Sequence, residues 1–164
     1  MRLWFYDPSG DKEGMLNHVV AKIDGPFCHC ELQFPDQQAC AIYMGSKVLM
    51  KTRTFDASMY TSVPVSCNNT QLRSAREFAD KEVSKETAFS TMAMSMALLP
   101  SLPYNGNGTF CSKLCADILI AAGLLEPSTP THKLSPSALY RLFASSSSNP
   151  IKAPSNVVSA IDFK

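Results

Sequence analysis

The chain has 164 residues, 45% hydrophobic and 18% charged, with a formal net charge of +1. This length holds one domain with a core of its own. The near-neutral charge gives no electrostatic footprint for nucleic acid or anionic lipid, so no polyanion partner is expected. The most apolar stretch, Met92 to Leu102, is about half of the ~20 residues needed to span a bilayer, and Pro100 and Pro103 interrupt its end, so no stable membrane insertion is expected either.

The first element is an aromatic strand, "LWFY" at 3–6, closed by the turn Asp7-Pro8-Ser9-Gly10. In "DKEGMLNHVVAKID" (11–24) the apolar residues Met15, Leu16, Val19, Val20 and Ile23 recur at helical spacing behind an acidic front, which predicts a helix ended by Gly25-Pro26. "FCHCELQF" (27–34) reads as a strand ending at Pro35-Asp36. "ACAIYM" and "KVLMKTRTF" flank Gly45-Ser46 as a hairpin, and "TSVPVSC" is a further strand. Asn68-Asn69-Thr70 starts a second helix, with Leu72, Ala75, Arg76, Phe78, Ala79 and Val83 on its packing face. "KETAFSTMAMSMALL" (85–99) predicts a third helix, and "YNGNGT" a loop. "FCSKLCADILIAAG" (110–123) is the plainest helical pattern, with Thr109 expected as its N-cap and Gly123 as its stop. "LSPSALYRLF" gives a short last helix with Pro136 in its first turn. The expected division is a domain over 1–143 and a tail or surface strap over 144–164.

The six cysteines, at 28, 30, 40, 67, 111 and 115, do not sit on a small loop-rich frame, and the start "MRLWFYDPSG" turns polar too soon for a signal peptide. Free thiols in a reducing, cytoplasmic compartment are therefore expected of a soluble protein. Clustered thiols also leave room for regulation by oxidation.

Strand alternation puts His29, Glu31 and Gln33 on one face and Cys28, Cys30, Leu32 and Phe34 on the other. Cys28, His29 and Cys30 then cannot converge on one zinc ion, although Cys28 and Cys30 with distant ligands could. The expectation is no metal, with both cysteines as small core residues. A lone strand histidine is ordinarily satisfied by a neighbouring backbone group. A His-Glu-Gln face on a central strand points instead to half of a catalytic site.

Cys111 stands in the first turn expected for its helix, where unpaired N–H groups and the helix dipole favour the thiolate and offer donors to an oxyanion. Cys115, Ile118, Leu119 and Ala122 continue the same face, and Cys115 reads as core. A cysteine at a helix start facing a histidine on a strand is the arrangement of papain-like thiol hydrolases, in which the histidine takes the thiol proton and a third polar residue orients its ring.

Here the histidine precedes the cysteine by about eighty residues, the reverse of the papain order. On "FCHCELQF", "FCSKLCADIL" and the Ser-Pro helix "LSPSALYRLF", the chain resembles the circularly permuted branch of the NlpC superfamily. These are the YiiX-like proteins and their relatives, which include a poxvirus protein and, more distantly, the lecithin retinol acyltransferases. "KVLMKTRTF" is only loosely similar to the strand that follows the histidine block. The resemblance implies an α+β, permuted papain-like fold, a small antiparallel sheet or half-barrel packed against helices. It implies Cys111 as nucleophile, His29 as general base and then acid, and Glu31 as the orienting residue, with Asp36, Gln37 or Gln38 as alternatives from the next strand. The backbone N–H of Ser112 or Cys111 would serve the oxyanion hole, with Tyr6 as a second donor.

Two functions follow as expectations. One is a thiol hydrolase or acyltransferase cleaving an amide or ester through an acyl-cysteine, without a cofactor, on a small-molecule, peptide or lipid substrate. The other is a structural or interaction protein that keeps the fold, such as a virion component, placed in host cytoplasm or virion if the chain is viral.

Overall fold

Leu3 and Phe5 point to one side of the first strand and Trp4 and Tyr6 to the other, and all four are buried. A strand buried on both faces belongs in the middle of a sheet. That is where the structure, a computed structural model describing residues 1–10, 15–98, 108–146 and 151–152, places it. The strands are β1 (Arg2–Tyr6), β2 (His29–Gln33), β3 (Gln38–Ala41), β4 (Leu49–Thr52), β5 (Tyr60–Pro64) and β6 (Ile151–Lys152). They form one open antiparallel sheet in the order β4-β3-β2-β1-β5-β6. The helices are α1 (Met15–Asp24), α2 (Asn69–Ser84), α3 (Thr91–Leu98), α4 (Cys111–Ala121) and α5 (Pro136–Ser146). The fold is α+β, as expected.

One face of the sheet carries the main core. Leu3, Phe5, Cys30, Leu32, Cys40 and Val63 meet Ala75 and Ala79 of α2, Leu114, Cys115, Ile118 and Leu119 of α4, and Leu139 of α5. Each fully buried leucine or isoleucine there contributes about 1.5–3 kcal/mol. The opposite face has a smaller cluster of Trp4, Ala39 and Phe55, with the two rings stacked at 4.5 Å. Polar residues share this second face, which leaves room for a buried polar group.

Several local expectations need correction. The third helix runs only over Thr91–Leu98, because Phe89 bridges Thr109 and the Ser90 N–H bonds to the Thr109 carbonyl, holding 89–90 extended. Thr109 does not cap α4: the N-cap is Phe110, with no side-chain hydrogen bond, so Cys111 is the first helical residue. Gly123 does follow the last turn, in the left-handed region at φ 66°. The hairpin strands end at Ala41 and resume at Leu49, as the chain leaves the ladder around a tight turn in which the Ser46 N–H bonds to the Tyr43 carbonyl. Helix α5 extends past residue 143 to Ser146, with the Ser145 hydroxyl bonding back to the Arg141 carbonyl. Asn68 caps α2 as expected, in a reciprocal capping box with Gln71. The acidic front expected of α1, the 104–107 part of the loop, Pro100, Pro103 and most of the expected tail lie outside the described residues.

Candidate active site

β3 pairs with β2 only at Leu32 and Gln33. The first residues of β2, His29 to Glu31, therefore have β1 on one side and no β3 ladder on the other. The tip of α4 fills that gap. Cys111, the first residue of α4, meets both His29 and Cys30 there. The expected separation of faces thus holds for His29 and Glu31 but does not isolate Cys111 from Cys30, because the thiol enters at the strand's open edge. Nor does alternation extend to Cys28, which precedes β2, bonds through its N–H to the Tyr6 carbonyl, and packs with Tyr6 and Val20 away from the main core.

His29 Nε2 lies 3.4 Å from Glu31 Oε1, a charge contact without hydrogen-bond alignment, since Nε2 has no hydrogen-bond partner among the described residues. With Nε2 turned to Glu31, the other ring nitrogen is left for the thiol. Side chains at i and i+2 on a strand need not touch, yet these two do. The Tyr43 ring stacks on His29 at 5.0 Å, and its hydroxyl donates to Glu31 Oε1 at 3.0 Å. The Ser46 hydroxyl, bonded to both the N–H and the carbonyl of Tyr43, anchors that ring.

Glu31 is fully buried. Arg53 compensates it, with Nη2 at 3.0 Å from Oε1, and the same Nη2 donates to the Tyr60 hydroxyl at 2.9 Å. Gln33 steadies this arrangement by accepting from the Trp4 indole at 2.8 Å and donating to the Arg53 carbonyl at 2.9 Å. Glu31 Oε2 and Arg53 Nε have no hydrogen-bond partner among the described residues.

The result is a row of groups whose charges alternate: thiolate Cys111, imidazolium His29, carboxylate Glu31, guanidinium Arg53. Burial alone would suppress the first three charges, and only neighbours of opposite sign let them persist. The Cys111 thiol is held well below the usual range. The causes are the Cys30 thiol donating to it, the positive His29 ring and the Cys30 backbone, all acting against burial. Burial pulls His29 down, but the Cys111 and Glu31 charges outweigh it and raise the ring to about 10. Glu31 stays below the ordinary carboxylate range despite burial, through His29, Arg53 and Tyr43. Burial and the Glu31 charge push the Tyr43 phenol up, so it remains a donor.

Cys111, His29 and Tyr43 line one cleft of about 400 Å³, whose other walls include Val20, Ile42, Met44, Phe89 and Met94. Ile42 to Met44 reach it because they have left the β3 ladder. Ser112 is buried and its hydroxyl donates to the Leu134 carbonyl at 2.7 Å. That leaves its backbone N–H, with that of Cys111, ahead of the first helical hydrogen bond, from Leu114 N to Phe110 O. Tyr6 pairs with His29 across β1 and β2, borders the cleft, and packs its ring against Tyr60 at 5.1 Å. The alternatives to Glu31 lie elsewhere: Asp36 and Gln38 are bound by Arg76 of α2, and Gln37 offers its carbonyl to Arg53 N.

Sequence reasoning missed Arg53, Tyr43 and Tyr60. The one available signal was "KVLMKTRTF", where alternation puts Lys51 and Arg53 on the same face of the strand that follows the histidine block. Comparison with protein-family models, curated proteins and solved structures returns no match.

Proposed function

We propose that the protein is a thiol hydrolase or acyltransferase that cleaves an amide or ester through an acyl-cysteine on Cys111. The observation that carries this reading is the buried charge row of Cys111, His29, Glu31 and Arg53 opening onto a cleft. A nucleophile at a helix start, a base on a strand and an orienting carboxylate are the parts covalent acyl transfer needs. The order of histidine before cysteine on an α+β frame suits the permuted papain-like reading.

In this mechanism the Cys111 thiolate attacks the substrate carbonyl carbon. The oxyanion forms beside the first-turn N–H groups of α4, where preorganised donors contribute most. His29 gives its proton to the leaving amine or alkoxide, and the acyl group stays on sulfur. The neutral ring then takes a proton from water or an acceptor hydroxyl, which attacks the thioester and frees the thiolate. Glu31, held by Arg53 and Tyr43, keeps the ring oriented throughout. The apolar walls of the cleft favour an acyl group with hydrocarbon character, in a lipid or small amide, over a charged peptide. Activity in a cytoplasmic, reducing compartment belongs to the same proposal. No helix among the described residues is long and apolar enough to cross a membrane.

The test is an activated-ester panel of increasing acyl length, read by peptide mass spectrometry. An acyl adduct on Cys111, absent in Cys111→Ser and favoured by longer chains, is the expected result. Adducts on several cysteines, or none, overturn the proposal and leave an interaction protein as the better account.

A further inference from the structure

Most polar groups on the cleft wall are already engaged. His29, Tyr43 and Cys111 belong to the charge row, and the Cys28 thiol donates to the Tyr6 carbonyl at 3.9 Å. Tyr60, which also lines the cleft, differs. Its hydroxyl oxygen accepts from Arg53 Nη2 at 2.9 Å, but a guanidinium has no acceptor to offer in return, so the phenolic hydrogen cannot be satisfied there. That hydrogen finds no acceptor among the described residues. The ring is held in place, packed on Tyr6 at 5.1 Å and edge-on against Phe55 at 5.0 Å. A phenolic hydrogen lies near the plane of its ring, so with Arg53 on one side of the oxygen it is turned to the other. Donation from Arg53 polarises the O–H, and burial with the nearby Glu31 charge pushes the phenol up, so it keeps its proton.

Strand register sets where this donor stands. Tyr60 of β5 pairs with Tyr6 of β1, and Tyr6 pairs with His29 of β2, so the three side chains form one row on the cleft face of the sheet. Each cross-strand step is about 5 Å, which puts Tyr60 roughly 10 Å from the His29 position. Tyr60 packs there against Tyr6, Val20 and Cys28, all buried, whereas Met44 on the cleft wall is half-exposed. The buried end suits the part of a substrate that stays on the sulfur, and the exposed side the part that leaves.

We propose that Tyr60 is a specificity-determining residue, which donates a hydrogen bond to a neutral oxygen (a ketone, ether or hydroxyl) carried toward the far end of the substrate's acyl chain. This rests on the reading of Cys111 as the nucleophile that receives the acyl group. A neutral oxygen is favoured over a carboxylate by the local charge: Arg53 is already balanced by Glu31 at 3.0 Å, so no net positive charge is left at this end to hold an anion. A plain hydrocarbon chain in the same place leaves the polarised O–H unmet in a water-poor site, and such a site discriminates against the analogue that lacks the acceptor.

The test measures kcat/KM of the full chain for nitrophenyl decanoate and for its oxo analogues, with the ketone beside the ester, in mid-chain or near the chain end. The expected result is that the ketone near the end exceeds the plain chain by about tenfold, largely through KM, and that this ratio falls to about one in Tyr60→Phe. Labelling of Cys111 across pH in the same variant shows whether loss of the hydroxyl has loosened Arg53 and Glu31, a disturbance that slows all the esters alike. A fall shared equally by the plain and oxo esters, a ratio in Tyr60→Phe equal to that of the parent, or a stronger preference for a chain ending in a carboxylate overturns the proposal. If Cys111 is acylated with no preference among the chains, only the role of Tyr60 falls. If no ester acylates Cys111, the hydrolase reading falls with it.

Discussion

Two buried thiols in this molecule are driven in opposite directions. Cys40 lies on β3, paired on both sides within the sheet, 0% exposed, and Cys111 at the tip of α4, 4% exposed. By burial alone they should behave alike. The Cys40 thiol is pushed far up, chiefly by burial, with the nearest charges doing little to oppose it. Cys111 is held down because a donor thiol, a positive ring and the strand's open edge converge on it. A low-dielectric site amplifies whatever faces it, so the sheet interior makes an inert sulfur and the strand gap makes a nucleophile.

The largest change expected comes from removing the cation. In His29→Ala, Cys111 keeps only the neutral thiol and backbone donors of Cys30, which cannot by themselves support a buried anion, and the site should come to resemble Cys40. Alkylation of Cys111 at pH 6.5 should fall at least roughly 100-fold, the thiolate fraction of even an ordinary thiol of pKa about 8.5 being ~1% there. Stopped-flow or quenched labelling across pH checks this, and an unchanged rate would break the comparison. In the parent protein, labelling rises as pH climbs through the depressed Cys111 value. Turnover has an upper limit too: it should fall as pH approaches about 10, where His29 loses the proton it must donate.

A smaller effect is expected of Glu31→Gln. The amide keeps the shape but removes the anion that orients His29 and balances Arg53. The His29 value drops toward that of an ordinary imidazole and Cys111 rises, since each supports the other's charge. Turnover should fall about tenfold to a hundredfold, with the upper pH limb moved down. An unmoved pH profile would reduce Glu31 to a structural role.

The two halves of this site were unequally legible in the sequence. Period-two alternation requires His29 and Glu31 to share a face in any regular strand, and a helical pattern starting near Cys111 follows from Ile118, Leu119 and Ala122 alone. Local rules carry no information about where a neighbouring strand stops pairing. The gap between β2 and β3, which brings Cys111 to both His29 and Cys30, is a property of register. Arg53 was hidden for the same reason: its role depends on β4 lying two strands from β2. Thr109 misled because a threonine before a helix usually caps it, whereas here the 108–110 segment is tied sideways to residues 89–90 and the cap position falls on Phe110.

That sideways tie predicts a milder effect. Gly108 has φ +96°, and a Cβ there would meet the Ser90 Cβ at 2.4 Å. Gly108→Ala should therefore lose about 1–3 kcal/mol of stability and shift the tip of α4, slowing Cys111 labelling a few-fold while Cys40 stays inert. Loss of stability without change at Cys111 would mean that the strand gap, rather than the tie to residues 89–90, positions the nucleophile.

The smallest expected effect is a control on the whole comparison. Asn68 caps α2 by accepting from the Gln71 N–H at 2.9 Å, and Gln71 reciprocates on the Asn68 N–H at 3.0 Å. Helix α2 packs beside α4 in the main core through Ala75 and Ala79, yet contributes no side chain to the cleft. Asn68→Ala should cost about 1 kcal/mol, read as a lower urea midpoint with an unchanged slope. The pH profile of Cys111 labelling should not move, because the groups that set it belong to β2, β4 and its exit, and the first turn of α4. If the profile does shift, the charge row depends on how firmly the helices press on the sheet, and the contrast between Cys40 and Cys111 reflects packing as much as neighbouring charge.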